Sequence, residues 1–144
     1  MLLSRSCEYG IRAILYMASR PVGQLLSTRE MAATLGISSH FLTKTLQRLS
    51  AKGLLVSYRG PNGGVTLARS ADEITLLDVV EAIDGLDVVE RCVMGFPECS
   101  DEYPCSLHGY WKKIRERILE MLSGKSVGAL ARETGERDLK FSAM

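Results

Sequence analysis

The sequence predicts a mainly α-helical fold with a small β-hairpin wing: a winged helix-turn-helix plus a long C-terminal dimerisation helix. Three observations predict it. Two short amphipathic segments meet at a tight glycine-containing turn, two β-prone runs flank RGPNGG, and a heptad-like apolar stripe runs from Leu107 to Met121. The chain has 144 residues, 46% hydrophobic and 24% charged, which suits one small core with a helical extension. No run approaches the roughly 18 apolar residues of a membrane span, and the start, MLLSRSCEYGIR, lacks a signal peptide's apolar segment. The expectation is a cytoplasmic protein with no membrane partner.

In SCEYGIRAILYMAS, residues 6–19, Ile11, Leu15 and Ala18 share one helical face with Ile14 and Met17 beside them, and Pro21 and Gly23 stop the helix. STREMAATLGI opens a second helix. Ser27 caps it, Glu30 three residues on completes a capping box, Met31, Ala32 and Leu35 point inward, and Gly36 suits a left-handed stop. SSHFLTKTLQRLSAKGL is then a third helix, capped by Ser38 or Ser39, with Phe41, Leu42, Leu46 and Leu49 inward. Its other face carries His40, Thr43, Lys44, Gln47 and Arg48, side chains that meet base edges and phosphates. Leu54–Tyr58 and Val65–Leu67 form a hairpin around RGPNGG, with Arg59 at its tip.

The charges follow the same division. Residues 1–69 hold nine Lys or Arg against Glu8 and Glu30, a balance of +7, whereas residues 70–144 hold nine against fifteen acids, −6. A basic winged helix points to duplex DNA, with the third helix in the major groove and the wing in the minor groove. Residues 1–69 are therefore the expected DNA-binding domain. Ser38, Ser39, His40, Thr43 and Lys44 are its candidate major-groove and phosphate contacts. Arg59 is the candidate for the minor groove, and Gly63 and Gly64 let the wing approach the DNA backbone. A solvated charged face and a plain surface hairpin are the bland alternatives.

Residues 70–124 read as a linker helix, a loop and a dimerisation helix. ITLLDVVEAIDG turns Leu76, Leu77, Val80 and Ile83 inward and ends at Gly85. From about Cys105 to Leu122, Leu107, Trp111, Ile114, Ile118 and Met121 recur at three- and four-residue steps. Packing on the chain's own core is one use of that stripe. Pairing with a second copy is the favoured one, because a homodimer reads two half-sites. Residues 125–144 form a C-terminal tail with one short helix in SVGALARETG and disorder expected at its end.

Between the linker helix and the long helix lies CVMGFPECSDEYPCSLHGYW, with three of the four cysteines spaced Cys92-x6-Cys99-x5-Cys105-x2-His108. Three thiols and an imidazole set among Gly, Pro, Asp and Ser form a metal site rather than a core. Structural zinc takes Cys3His sets but usually with tighter Cys-x2–4-Cys knuckles, whereas a wider loop suits an iron–sulfur cluster. A metal-free thiol switch and a cysteine nucleophile with His108 as base are the other readings, the last without any oxyanion or substrate apparatus. No enzyme is expected.

These residues meet a known pattern. STREMAATLGIS, then LQRLSAKGLLVSYRGPNGGVTLAR with its RGPxGG wing, and CSLHGYW as CxxHxxW together resemble the IscR/NsrR-like family of iron–sulfur winged-helix transcriptional regulators. The resemblance covers most of the chain. It implies a homodimeric regulator, expected to be a repressor, whose cluster state alters its grip on operator DNA in response to redox, nitric oxide or iron status. It maps cluster ligation onto Cys92, Cys99 and Cys105, with His108 as fourth ligand or Glu8 in its place, often supplied by the partner subunit. Cys7 beside Glu8 is a further ligand candidate, with a lone, partly buried thiol the favoured reading. The first spacing is six where five is commoner in the family, so nuclearity stays open: CxxH favours 2Fe–2S, with 4Fe–4S the alternative.

Overall fold

A computed structural model describes residues 2–135 and Leu139. Among the described residues, seven helices, one 3-10 turn and one two-stranded hairpin surround an apolar core that runs from Cys7 to Leu139.

Helix α1 (Arg5–Ala18) starts at Ser4, whose Oγ accepts from the Cys7 N–H at 3.0 Å. It buries Cys7, Gly10, Ala13, Ile14, Leu15 and Met17, while Ile11 and Ala18 are only half-buried. The inward face is thus rotated from the expected stripe. The cause is Gly10: a Cβ there would collide with Ile83 Cδ1, so helix α4 (Leu76–Ile83) seats directly on the α1 backbone. Helix α2 (Thr28–Leu35) forms the first half of the expected capping box, Ser27 Oγ accepting from the Glu30 N–H at 3.3 Å. Gly36 ends it at φ 71°, the left-handed stop.

Helix α3 (Ser39–Ala51) begins after Ser38, which holds the cap position without a side-chain bond. It buries Leu42, Thr45, Leu46 and Leu49. Phe41 corrects the expectation, since the residue is 56% exposed. It precedes Leu42 by one residue, about 100° round the helix, so Thr45 takes the inward place and donates its hydroxyl to the Phe41 carbonyl at 3.1 Å. The wing pairs β1 (Leu55–Tyr58) with β2 (Gly64–Leu67) antiparallel, in the register Leu55 to Leu67 and Tyr58 to Gly64. Two 2.9 Å bonds between Leu26 and Val65 fasten the hairpin to the segment before α2.

Beyond the 3-10 turn Ala71–Glu73, Thr75 and Asp78 form a complete capping box at the head of α4, a device the sequence reading placed only at Ser27. Ile74, Val79, Val80 and Ile83 are buried there, with Leu76 and Leu77 at the edge of the core. A short helix α5 (Asp87–Glu90) follows Gly85, whose φ of 74° makes the bend. Helix α6 runs His108–Ser123, so Cys105 lies in the loop before it rather than on its first turn. Its stripe divides: Leu122 is buried and Ile118 packs on the core, but Leu107, Ile114 and Met121 are 43%, 53% and 63% exposed. The short helix expected in SVGALARETG is α7 (Val127–Glu133), held by Val127 N–H to Ile74 O at 2.7 Å and packed on α1. The expected terminal disorder falls outside the described residues, although Leu139 is buried and its carbonyl accepts from Arg12 Nη1 at 3.2 Å. Among the described residues no helix is long and apolar enough to cross a membrane.

Candidate functional site

The loop joining α5 to α6 is pinned at its start by α6. Trp111 Nε1 donates to Arg91 O at 2.8 Å and Arg115 Nη1 to Glu90 O at 3.4 Å, so the residue before Cys92 is fixed by the helix that follows the loop. Within it, Gly95 with φ 80° closes a turn onto Cys92 O at 2.9 Å, and Cys105 N–H reaches Cys99 Sγ at 3.4 Å. Cys92, Cys99 and Cys105 are free and half-buried, and their sulfurs all lie within 4.8 Å of one another. Cys92 and Cys105 are 3.7 Å apart.

Cys92 and Cys99 are shifted in opposite directions. Partial desolvation pushes Cys92 up, but the Phe96 and Met94 N–H groups and the thiols of Cys105 and Cys99 outweigh it and hold the group near 7. At Cys99 the Cys105 N–H pulls downward, and desolvation with the two adjacent thiols wins, raising it. A thiolate at Cys92 surrounded by shared hydrogens is a set of soft donors ready for a thiophilic metal.

His108, the first residue of α6, places Nδ1 3.3 Å from Cys99 Sγ and Nε2 2.8 Å from Asp101 Oδ1. Lys112 Nζ reaches both Asp101 oxygens at 3.2 Å. Hydrogen bonds from His108 first, then Lys112, hold the Asp101 carboxyl below the usual range. Glu8 stands on α1 in an ion pair with Arg5 at 3.4 Å and does not join the three-sulfur group. Cys7 beside it is fully buried, and burial, the carboxylates of Asp84 and Glu8 and a bond to Asp84 push its thiol up to about 12.

On the opposite half, Ser38, Ser39, His40, Thr43 and Lys44 all lie exposed on the first two turns of α3 or just before them. Thr43 donates to Ser39 O at 2.8 Å, leaving its oxygen as an acceptor. Arg59 is exposed at the wing tip. Gly63 and Gly64 have an internal reason to be glycine: a Cβ on Gly63 would strike the Tyr58 carbonyl, and one on Gly64 would sit 2.7 Å from Leu26 O. Sequence reasoning placed Phe41 in the core, because an aromatic residue beside an apolar stripe reads as core, and gave Tyr58 no role; they are 56% exposed on α3 and 55% exposed on the wing. It also passed over Asp101 and Lys112, whose only signal was Lys112 lying four residues after His108.

Comparison with known proteins agrees with this architecture. The profile of the Rrf2 family, described as iron-dependent transcriptional regulators, matches residues 3–133. An HTH-type transcriptional regulator of Aquifex aeolicus (strain VF5) is 30% identical over 129 residues, 88% of this chain and 89% of its own. Among solved structures, CymR (YrzC), the global cysteine regulator of B. subtilis, is 26% identical with a TM-score of 0.76 over 92% of this chain and 98% of that one. The IscR of T. potens is 23% identical with a TM-score of 0.66, covering 93% and 88%, and shares the fold. The chain therefore belongs to the Rrf2 family and is a winged-helix, DNA-binding transcriptional regulator, not an enzyme.

Proposed function

We propose that this regulator is a homodimeric repressor whose operator affinity is set by an iron–sulfur cluster on Cys92, Cys99 and Cys105, with His108 as the fourth ligand. The observation that carries this is the convergence of three free thiols from one loop within 4.8 Å, beside an imidazole 3.3 Å from one of them. That donor set fits a cluster of either 2Fe–2S or 4Fe–4S type, the first favoured for its mixed Cys and His ligation. Glu8 is the alternative ligand, offered by a second copy. When bound, the cluster supplies an iron-, oxygen- and nitric oxide-sensitive crosslink of the loop. Everything else is done by the chain.

Residues 1–69 carry the reading head and residues 70–124 the sensor and dimer seam. Trp111 and Arg115 tie the loop's start to α6, so order in the loop fixes α5. Gly85 joins α5 to α4, where Ile83 O accepts from Arg48 Nη1 of α3 at 3.4 Å. Ser4 N–H donates to Asp84 Oδ2 at 2.9 Å and brings α1 to the same point. A change in the loop thereby reaches the recognition helix through two packed elements. On α6, exposed Ile114 and Met121 lie with Lys113 and Arg117 along a shallow groove suited to the same helix of a second copy. Two reading heads then meet two half-sites.

The test is anaerobic purification with iron, zinc and sulfide analysis, followed by operator binding of loaded and stripped protein at equal salt. A brown protein whose affinity changes on stripping is expected. A colourless zinc protein would replace the cluster with a Cys3His structural site, and equal affinities would end the sensing claim.

A further inference from the structure

Resting on the cluster reading above, we propose that Asp101, braced by Lys112, is a positioning residue that fixes the tautomer of His108 and aims Nδ1 at the iron. His108 and Lys112 stand four apart at the start of α6, stacked on one face one turn from each other. Asp101 comes from the loop and meets both: Oδ1 lies 2.8 Å from His108 Nε2, and Lys112 Nζ holds both oxygens at 3.2 Å. Lys112 therefore braces both oxygens of the carboxylate, and Oδ1 carries the imidazole as well.

An ionised carboxylate only accepts, so the bond to Asp101 requires the imidazole proton to sit on Nε2. A neutral ring then has its lone pair on Nδ1, and Nδ1 is the nitrogen 3.3 Å from Cys99 Sγ, on the thiol side. The His108 side chain is 12% exposed against 68% for Asp101, so the ring spans from the sulfur group out to a solvent-facing anchor. An exposed pair such as Asp101–Lys112 contributes little to stability, and its consequence is orientation. Carboxylate–histidine–metal pairs act in this way, raising the basicity of the ligating nitrogen and fixing the ring.

The experiment uses the full chain purified anaerobically as wild type, Asp101→Asn and Asp101→Ala, with 15N-histidine labelling. Iron and sulfide content, 15N hyperfine coupling of the reduced cluster, midpoint potential and iron loss to a chelator are measured, and circular dichroism confirms folding. Wild type is expected to show imidazole coupling. Asp101→Ala should lose iron to the chelator with roughly 10–100-fold weaker retention and a diminished coupling. Asp101→Asn keeps the shape but removes the charge that favours the oxidised cluster, shifting the one-electron equilibrium toward reduction by about tenfold, ~59 mV. A wild-type protein without iron and sulfide overturns the cluster reading and this proposal with it. A cluster with no 15N coupling leaves that reading standing and overturns the role of His108 and Asp101. Coupling, potential and retention unchanged in both variants overturn the role of Asp101 alone.

Discussion

At Cys7 the thiol is fully buried between α1 and the end of α4, and its surroundings push it up to about 12 from an ordinary 9.0. At Cys92 the hydrogen bonds of the loop bring the group to about 7. In metal-free, reduced protein near pH 8, iodoacetamide should modify Cys92 first and leave Cys7 untouched until unfolding, as peptide mapping by mass spectrometry would reveal; early labelling of Cys7 would refute its placement. The folded chain keeps the Cys7 proton where the unfolded chain has lost it, so its contribution to stability is complete below about 9 and declines as pH rises toward 12. Denaturant midpoints should fall over that window, and Cys7→Ala should flatten the decline. Phe41 and Leu42 make a second contrast. Leu42 is wholly buried, so Leu42→Ala should cost ~2–5 kcal/mol of stability. Phe41 is 56% exposed, so Phe41→Ala should leave the melting temperature nearly unchanged. On the exposed face of α3 it should weaken operator binding where its ring meets a thymine methyl, which fluorescence anisotropy on matched operators tests.

Among the elements, those announced by polar punctuation were the most legible. Ser27, Gly36 and RGPNGG each carry a local reason to start, stop or turn a chain, and the structure keeps all three. Faces were less legible than boundaries. The inward side of α1 turns on Gly10, which no apolar count registers, and that of α3 on Thr45, a polar residue wholly within the core. The loop was legible as a ligand set because thiols are rare among Gly and Pro, whereas Asp101 looked like one more solvated acid in SDEY. Its partnership with His108 exists only once α6 starts at residue 108 and brings Lys112 alongside. Helix α6 itself shows both faces of an ambiguous stripe. Leu122 and Ile118 serve the chain's own core, and Ile114 and Met121 stay open. Ile114→Glu with Met121→Glu should therefore abolish dimers in native mass spectrometry while the monomer stays folded. Leu122→Ala should instead lower stability by ~2–5 kcal/mol. Dimers that survive the double glutamate variant would move the seam elsewhere.

For the molecule as a whole, the separation of +7 in residues 1–69 from −6 in residues 70–144 makes the winged helix the half that attracts a polyanion. Each phosphate neutralised on duplex DNA adds about 0.9 to the slope of log affinity against log salt. Lys44 on the exposed face of α3 occurs once per chain, so a dimer gripping both half-sites carries it twice. If the loaded protein engages both sites, Lys44→Gln should reduce its slope by about 1.8. If stripping the metal alters the separation of the two α3 helices so that one half-site is released, the same substitution should reduce the stripped protein's slope by only about 0.9. The difference distinguishes lost geometry from a general weakening of every contact, which would lower affinity while leaving both reductions equal. Equal reductions in the two states would place regulation inside each reading head, through Arg48 and the end of α4, rather than in the spacing between heads.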